Sequence, residues 1–188
     1  MPVINAGDGA GEHPTQALLD LFTIADHFKS LSQLTVTFVG DLLYGRTVHS
    51  LAQLLFLYRP AEIRLVSPKE LRMPQALMEK IATAGVVARE TEDLEGALQD
   101  SDVLYMTRIQ KERFSDPLAY VRLKDSFCVT QRSMKKLKKT AILMHPFPRV
   151  NEIDIAVDSD PRALYLREQI PNGMYVRMAL LSLILSKD

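Results

Sequence analysis

The chain has 188 residues, with 23 Lys plus Arg against 23 Asp plus Glu and 47% hydrophobic residues; this supports a sizeable core and excludes disorder over most of the length. The balanced charge excludes the basic footprint of a protein that wraps nucleic acid. The single cysteine, Cys128, excludes an intrachain disulfide framework or CxxC metal site and suits a reducing compartment, so a cytoplasmic location is expected.

No basic and apolar leader opens the chain, and no apolar run reaches the ~18 residues needed to cross a bilayer. Met1 to Ala6 reads as a short apolar lead-in. Asn5 to Gly11 holds three glycines and reads as a loop. Pro14 opens a helix whose apolar positions are Leu18, Leu19, Phe22, Ala25 and Phe28. Leu34–Val39 is nearly continuous in hydrophobicity, the pattern of a strand covered on both faces. A helix follows over Arg46–Leu57, then a strand over Ile63–Val66 and a helix from Met73-Pro74 to Ala84. A weak strand is expected at Val86–Ala88, a short helix at Leu94–Leu98 and clear strands at Val103–Met106 and Ala141–Met144. An irregular stretch between those two carries a basic helix around Ser133–Lys139. Asp160-Pro161 is expected to cap a short helix. Pro171-Asn172-Gly173 precedes a final helix, Met174–Leu185, so apolar that it should be buried on several sides.

Alternating short strands and amphipathic helices predict an α/β fold, an open parallel sheet of about five strands with helices on both faces. Three strands run into polar, basic loops: Gly40–Thr47, Thr107–Arg113 and His145–Arg149. In an open α/β sheet ligands bind at the carboxyl ends of the strands. Arg46, Arg108, Gln110 and Arg149 are therefore expected to face one crevice, and guanidinium groups there suit a small ligand with more than one negative charge. Arg108 also has a simple structural alternative, pairing with Glu112. His13 stands at a helix start, an anion-friendly place, and Gln16 can bind an amide or carbonyl. The Gly40–Gly45 loop matches neither GxGxxG nor the P-loop pattern, and His145 and His49 have no partner at ligand spacing, so no metal or other cofactor is expected. Lys135, Lys136, Lys138 and Lys139 read as a solvated helix face.

These segments together resemble aspartate carbamoyltransferase along almost the whole chain. The collinear motifs are Asn5-Ala6-Gly7-Asp8-Gly9, His13-Pro14-Thr15-Gln16, Gly45-Arg46-Thr47-Val48-His49-Ser50, Thr107-Arg108-Ile109-Gln110-Lys111-Glu112-Arg113, His145-Pro146-Phe147-Pro148-Arg149 and Asn172-Gly173-Met174-Tyr175-Val176-Arg177. The style of 149–163 is closest to enzymes fused into large eukaryotic pyrimidine-synthesis polypeptides. The resemblance implies an aspartate-binding domain (30–170) flanked by two interdomain helices (within 1–29 and 171–188), with the carbamoyl-phosphate domain and its Ser-Thr-Arg-Thr loop absent from these residues.

The resemblance also implies roles. His13 would polarise the carbonyl of carbamoyl phosphate, Gln16 would hold its amide end, and backbone carbonyls at Phe147 and Pro148 would accept from its amino group. Arg46 would bind the α-carboxylate of L-aspartate, and Arg108 and Gln110 the β-carboxylate, with Glu112 orienting Arg108. The intact enzyme would be a homotrimer. Leu43 stands where many relatives carry Lys. A chain that is catalytically silent by itself is one alternative. An ornithine-type carbamoyltransferase is another, although that type carries a Cys in the loop that is here His145-Pro146-Phe147-Pro148.

Overall fold

A computed structural model of the chain describes residues 2–9 and 11–186. Met1 of the lead-in, Ala10 of the glycine loop, and Lys187 and Asp188 at the end of the last segment lie outside the described residues. Five segments pair into an all-parallel sheet: β1 (Thr35–Val39), β2 (Glu62–Val66), β3 (Ala88–Thr91), β4 (Val103–Met106) and β5 (Ile142–Met144). The spatial order is β3-β2-β1-β4-β5. In this register Val36 lies opposite both Ile63 and Val103, and Tyr105 lies opposite Met144.

The near-continuous hydrophobicity of the central strands follows from burial on both faces. Val36, Phe38 and Tyr105 point to one core, shared with Ala17 and Ile24 of α1 (Pro14–Phe28), Val48 and Leu51 of α2 (Arg46–Leu55) and Leu77 and Ile81 of α3 (Gln75–Thr83). Val39, Leu104 and Met106 point to the other, shared with α4 (Leu94–Ala97), Met134 of α6 (Gln131–Met134) and Tyr165 of α7 (Leu164–Arg167). Fully burying a Val, Leu, Ile, Phe or Met side chain among these contributes about 1.5–3 kcal/mol relative to exposure.

Several boundaries differ from the sequence expectation. The last helix, α8 (Gln169–Leu185), starts five residues early and takes in Pro171. Proline costs little in the first turn, where backbone N–H groups have no intrahelical acceptor. The basic segment is helical only over Gln131–Met134, where Thr130 and Ser133 form a reciprocal cap. An unexpected helix, α5 (Pro117–Leu123), is capped by Asp116, whose carboxylate accepts from the Leu118 and Ala119 N–H groups. Asp160 caps no helix but receives the Arg162 backbone N–H and guanidinium, so α7 begins only at Leu164.

Helices α1 and α8 pack against each other, and α1 also packs on α2. The face that α1 buries is Thr15, Gln16, Ala17, Leu19, Asp20, Thr23 and Ile24, whereas Phe22 is exposed. α8 buries only Gln169, Asn172 and Gly173 near its start, and farther along Met178 is 59% exposed and Leu183 76%.

Candidate active site

Strand β1 pairs with β2 on one side and with β4 on the other. The strand order therefore reverses beside β1, and a crevice opens there at the carboxyl ends of the strands, as topology requires. Its walls come from four separate segments: His13 and Gln16 of α1, Gly45 to Thr47 at the start of α2, Thr107 to Arg113 after β4, and His145 to Pro148 after β5. Its volume of about 220 Å³ lies below the ~300–1,000 Å³ of drug-sized pockets and suits a small metabolite.

Three guanidinium groups line it. Arg46, in the first turn of α2, donates from Nη1 to the Gly9 carbonyl at 2.9 Å, and Arg113 donates from Nη2 to the same oxygen at 2.9 Å. Gly7 passes so close beneath Arg46 that a Cβ there would lie 3.0 Å from Nη1. Arg108 makes a two-pronged pair with Glu112, with Nη1 3.1 Å from Oε2 and Nη2 bonded to Oε1. The hydrogen bond from Arg108 holds the Glu112 carboxyl down at about 2, and Glu112 in turn raises the Arg108 guanidinium. Gln110 donates from Nε2 to the Tyr44 carbonyl at 3.2 Å.

The loops are fixed from below. Gly40 adopts φ +116°, and a Cβ there would lie 2.2 Å from the Thr107 carbonyl oxygen, so the chain can pass only as glycine. Asp41 is fully buried and accepts from the Tyr44 N–H (2.9 Å) and the Gln110 N–H (3.4 Å), which joins the β1 and β4 loops. Burial raises its carboxyl despite these donors. On the β5 side His145 is buried, accepts the Phe147 N–H at Nδ1 (2.9 Å) and presents Nε2 to Glu152 at 2.7 Å. A backbone N–H can only donate, so Nδ1 carries no proton and His145 is the neutral Nε2–H form. Phe147 turns the chain at φ 57°.

His13 caps α1 through backbone alone, its N–H donating to Ser50 Oγ at 2.9 Å, while its buried Nδ1 has no partner among the described residues. Burial first, then the charges of Arg46 and Arg177, lower its pKa, so the imidazole is neutral at pH 7. Behind it, Gln16 donates from Nε2 to Asp20 Oδ1 at 2.9 Å. Asp20 is fully buried; burial raises its carboxyl to about 7 against hydrogen bonds from Tyr105, Gln169 and Gln16.

The structure thus brings His13, Gln16, Arg46, Arg108, Gln110, Glu112, Phe147 and Pro148 to one crevice. It does not bring Arg149. That guanidinium folds back onto Asp158 (Nη2 to Oδ2, 3.1 Å) and the Tyr165 hydroxyl (3.2 Å), and the ion pair takes it away from the rim. Sequence reasoning assigned no role to Arg113 or His145, although both stood in the loops that follow β4 and β5.

The chain is similar to known proteins along almost its whole length. The model of the aspartate/ornithine carbamoyltransferase Asp/Orn binding domain matches residues 32–184, and that of the carbamoyl-P binding domain of the same proteins matches residues 1–26. The multifunctional protein CAD of Squalus acanthias is 56% identical over 186 residues, 99% of this chain and 8% of that protein. The aspartate carbamoyltransferase catalytic subunit of Thermococcus gammatolerans is 52% identical over 185 residues, 98% of this chain and 59% of that subunit. Among solved structures, aspartate transcarbamoylase from Trypanosoma cruzi in complex with carbamoyl phosphate and aspartate superposes with a TM-score of 0.92 at 45% identity, over 98% of this chain and 60% of that one.

Proposed function

This chain belongs to the aspartate/ornithine carbamoyltransferase family, and from that membership we propose that it carries the aspartate-binding half of an aspartate carbamoyltransferase. The reaction is transfer of the carbamoyl group of carbamoyl phosphate to the α-amino group of L-aspartate, giving N-carbamoyl-L-aspartate for de novo pyrimidine synthesis. The observation that carries this reading is the meeting of Arg46, Arg108 and Gln110 with His13 and Gln16 around one small crevice. Ornithine in place of aspartate is disfavoured, because Arg108 and Gln110 suit a carboxylate and not a side-chain ammonium.

On this reading Arg46 takes the α-carboxylate of aspartate and Arg108 with Gln110 the β-carboxylate, while Glu112 holds Arg108 in position. Neutral His13 donates to the carbamoyl oxygen, Gln16 holds the amide end, and the backbone carbonyls of Phe147 and Pro148 accept from the amino group. The uncharged α-amine attacks the carbamoyl carbon, a tetrahedral oxyanion forms, and its collapse breaks the C–O bond and releases phosphate, which takes up the proton the amine loses. No covalent enzyme intermediate and no cofactor is needed. Holding two mutually repelling anions together is worth roughly 7–11 kcal/mol, and each fixed oxyanion donor about 3–4 kcal/mol.

Residues 30–170 form the aspartate-binding unit on this reading, and 1–29 and 171–188 carry the interdomain helices. The intact enzyme is a cytoplasmic homotrimer, alone or fused to other pyrimidine-pathway enzymes. Calorimetry with N-(phosphonacetyl)-L-aspartic acid, the compound bound in one of the Trypanosoma cruzi structures, tests the site. Arg108→Ala is expected to weaken binding about 10- to 100-fold, the loss of charge-assisted hydrogen bonds; equal heats in both chains would sink the reading.

One observation favours a second reading. The carbamoyl-P domain model matches only residues 1–26, and no Ser-Thr-Arg-Thr occurs in the 188 residues. These residues taken alone are then silent and gain activity when a carbamoyl-phosphate domain is supplied. Carbamoyl-aspartate formation by the chain alone would refute silence.

A further inference from the structure

Asp20 is the one fully buried carboxylate of α1, and the reaction as derived above does not use it. Three elements, α1, α8 and β4, meet on it. Gln16, one turn earlier on α1, donates from Nε2 to Oδ1 at 2.9 Å; Gln169, the first residue of α8, donates from Nε2 to Oδ1 at 2.6 Å; and the Tyr105 hydroxyl of β4 donates to Oδ2 at 2.6 Å. Gln169 in turn accepts the His145 backbone N–H at Oε1, 2.9 Å away, at the head of the turn that carries Phe147 and Pro148.

The polarity of this chain is fixed from one end. The His145 N–H can only donate, so the Gln169 carbonyl faces it and the Gln169 amide nitrogen must point to Asp20. In the ionised carboxylate Oδ1 is an acceptor only, and Gln16 meets it with its own NH2 group. The carbonyl oxygen of Gln16 has no other partner among the described residues and is the end left to the crevice that Gln16 lines.

We propose that Asp20 is a positioning residue: it holds Gln16 with Oε1 turned toward the bound carbamoyl group and, through Gln169, ties that acceptor to the His145–Pro148 turn. One carboxylate thus sets two acceptor groups for the same ligand amino group. The ligand in this statement rests on the proposed carbamoyl transfer; the hydrogen-bond chain does not.

The asparagine variant keeps the device. In Asp20→Asn the side-chain oxygen faces the two glutamine amides, and the new NH2 group donates to the Tyr105 oxygen, which accepts as readily as it donates. Asp20→Ala removes it.

Two measurements test the proposal. By NMR of the unliganded chain, the Gln16 side-chain amide is expected to exchange with solvent at least about tenfold more slowly than a free glutamine amide, with protection kept in Asp20→Asn and lost in Asp20→Ala. In binding, measured with a separately produced carbamoyl-phosphate domain supplied, the probes are carbamoyl phosphate and acetyl phosphate, whose methyl group replaces the amino group. The unaltered chain and Asp20→Asn are expected to prefer carbamoyl phosphate by about fivefold or more, and Asp20→Ala to bind both alike. A folded Asp20→Ala that keeps the preference, or keeps Gln16 protection, overturns the proposal. If Asp20→Ala does not fold, an unprotected Gln16 amide in the unaltered chain overturns it and a protected one lost in neither Asp20→Asn nor the unaltered chain supports it. Failure of the functional reading looks different: even with a carbamoyl-phosphate domain supplied, the unaltered chain binds neither phosphate, while the amide protection stands and decides the proposal by itself.

Discussion

Glu112 and Asp20 are carboxylates pushed in opposite directions. Glu112 is half exposed and held down at about 2 by the hydrogen bond from Arg108; Asp20 is fully buried and raised by that burial to about 7. For Glu112 the folded value lies below the unfolded one. The pair's contribution is therefore fully present above about 4.5 and is lost as pH falls toward about 2. Its size is modest because solvent screens a pair with this exposure. Carboxyl NMR is expected to show a Glu112 midpoint near 2 in the unaltered chain and a return toward 4.5 in Arg108→Gln; a midpoint near 4.5 in both would contradict the pairing. At this scale Arg46, Arg108 and Gln110 were legible, because each follows a strand by a few residues. Arg149 was misread because its partner, Asp158, lies in a 3-10 turn that no periodicity announces. Asp20 was missed for the opposite reason: a lone acid on an amphipathic helix reads as surface, and only the packing of α8 over it shows otherwise.

Strands β1 and β4 were legible to within a residue, since short, nearly continuous hydrophobic runs rich in β-branched and aromatic residues read as doubly covered strands. The start of α8 was not, because Pro171 reads as a boundary although the first turn tolerates it. Nor was α5, although Asp116-Pro117 is a cap followed by a first-turn proline. The junction between β1 and β4 depends on Gly40, where the backbone passes under the Thr107 carbonyl. Gly40→Ala combines a disfavoured φ of +116° with a hard backbone contact, and a loss of about 2–4 kcal/mol in urea unfolding is expected. An unchanged midpoint would mean that the two loops can part without cost.

Across the molecule, the parallel open sheet was legible from the alternation of elements, but the order β3-β2-β1-β4-β5 was not. Strand order depends on which way each crossover turns, and no local pattern records that. The exposure of α8 is the largest departure from expectation: Met174, Tyr175, Met178, Leu183 and Leu185 are all more than half exposed. Exposed apolar surface of this kind drives association in water. Light scattering is expected to show the chain self-associating as its concentration rises, and Met178→Lys with Leu183→Lys to restore a monomer. A monomer at every concentration in the unaltered chain would contradict this.

The crevice has a thermodynamic consequence that its position alone conceals. Its walls are drawn from the neighbourhoods of residues 13, 46, 108 and 147, so an unfolded or half-folded chain has no place for a ligand to rest. Whatever occupies the crevice stabilises the whole sheet at once, by an amount that grows with the logarithm of ligand concentration over Kd. Melting temperature thereby becomes a reporter of occupancy, readable without any turnover.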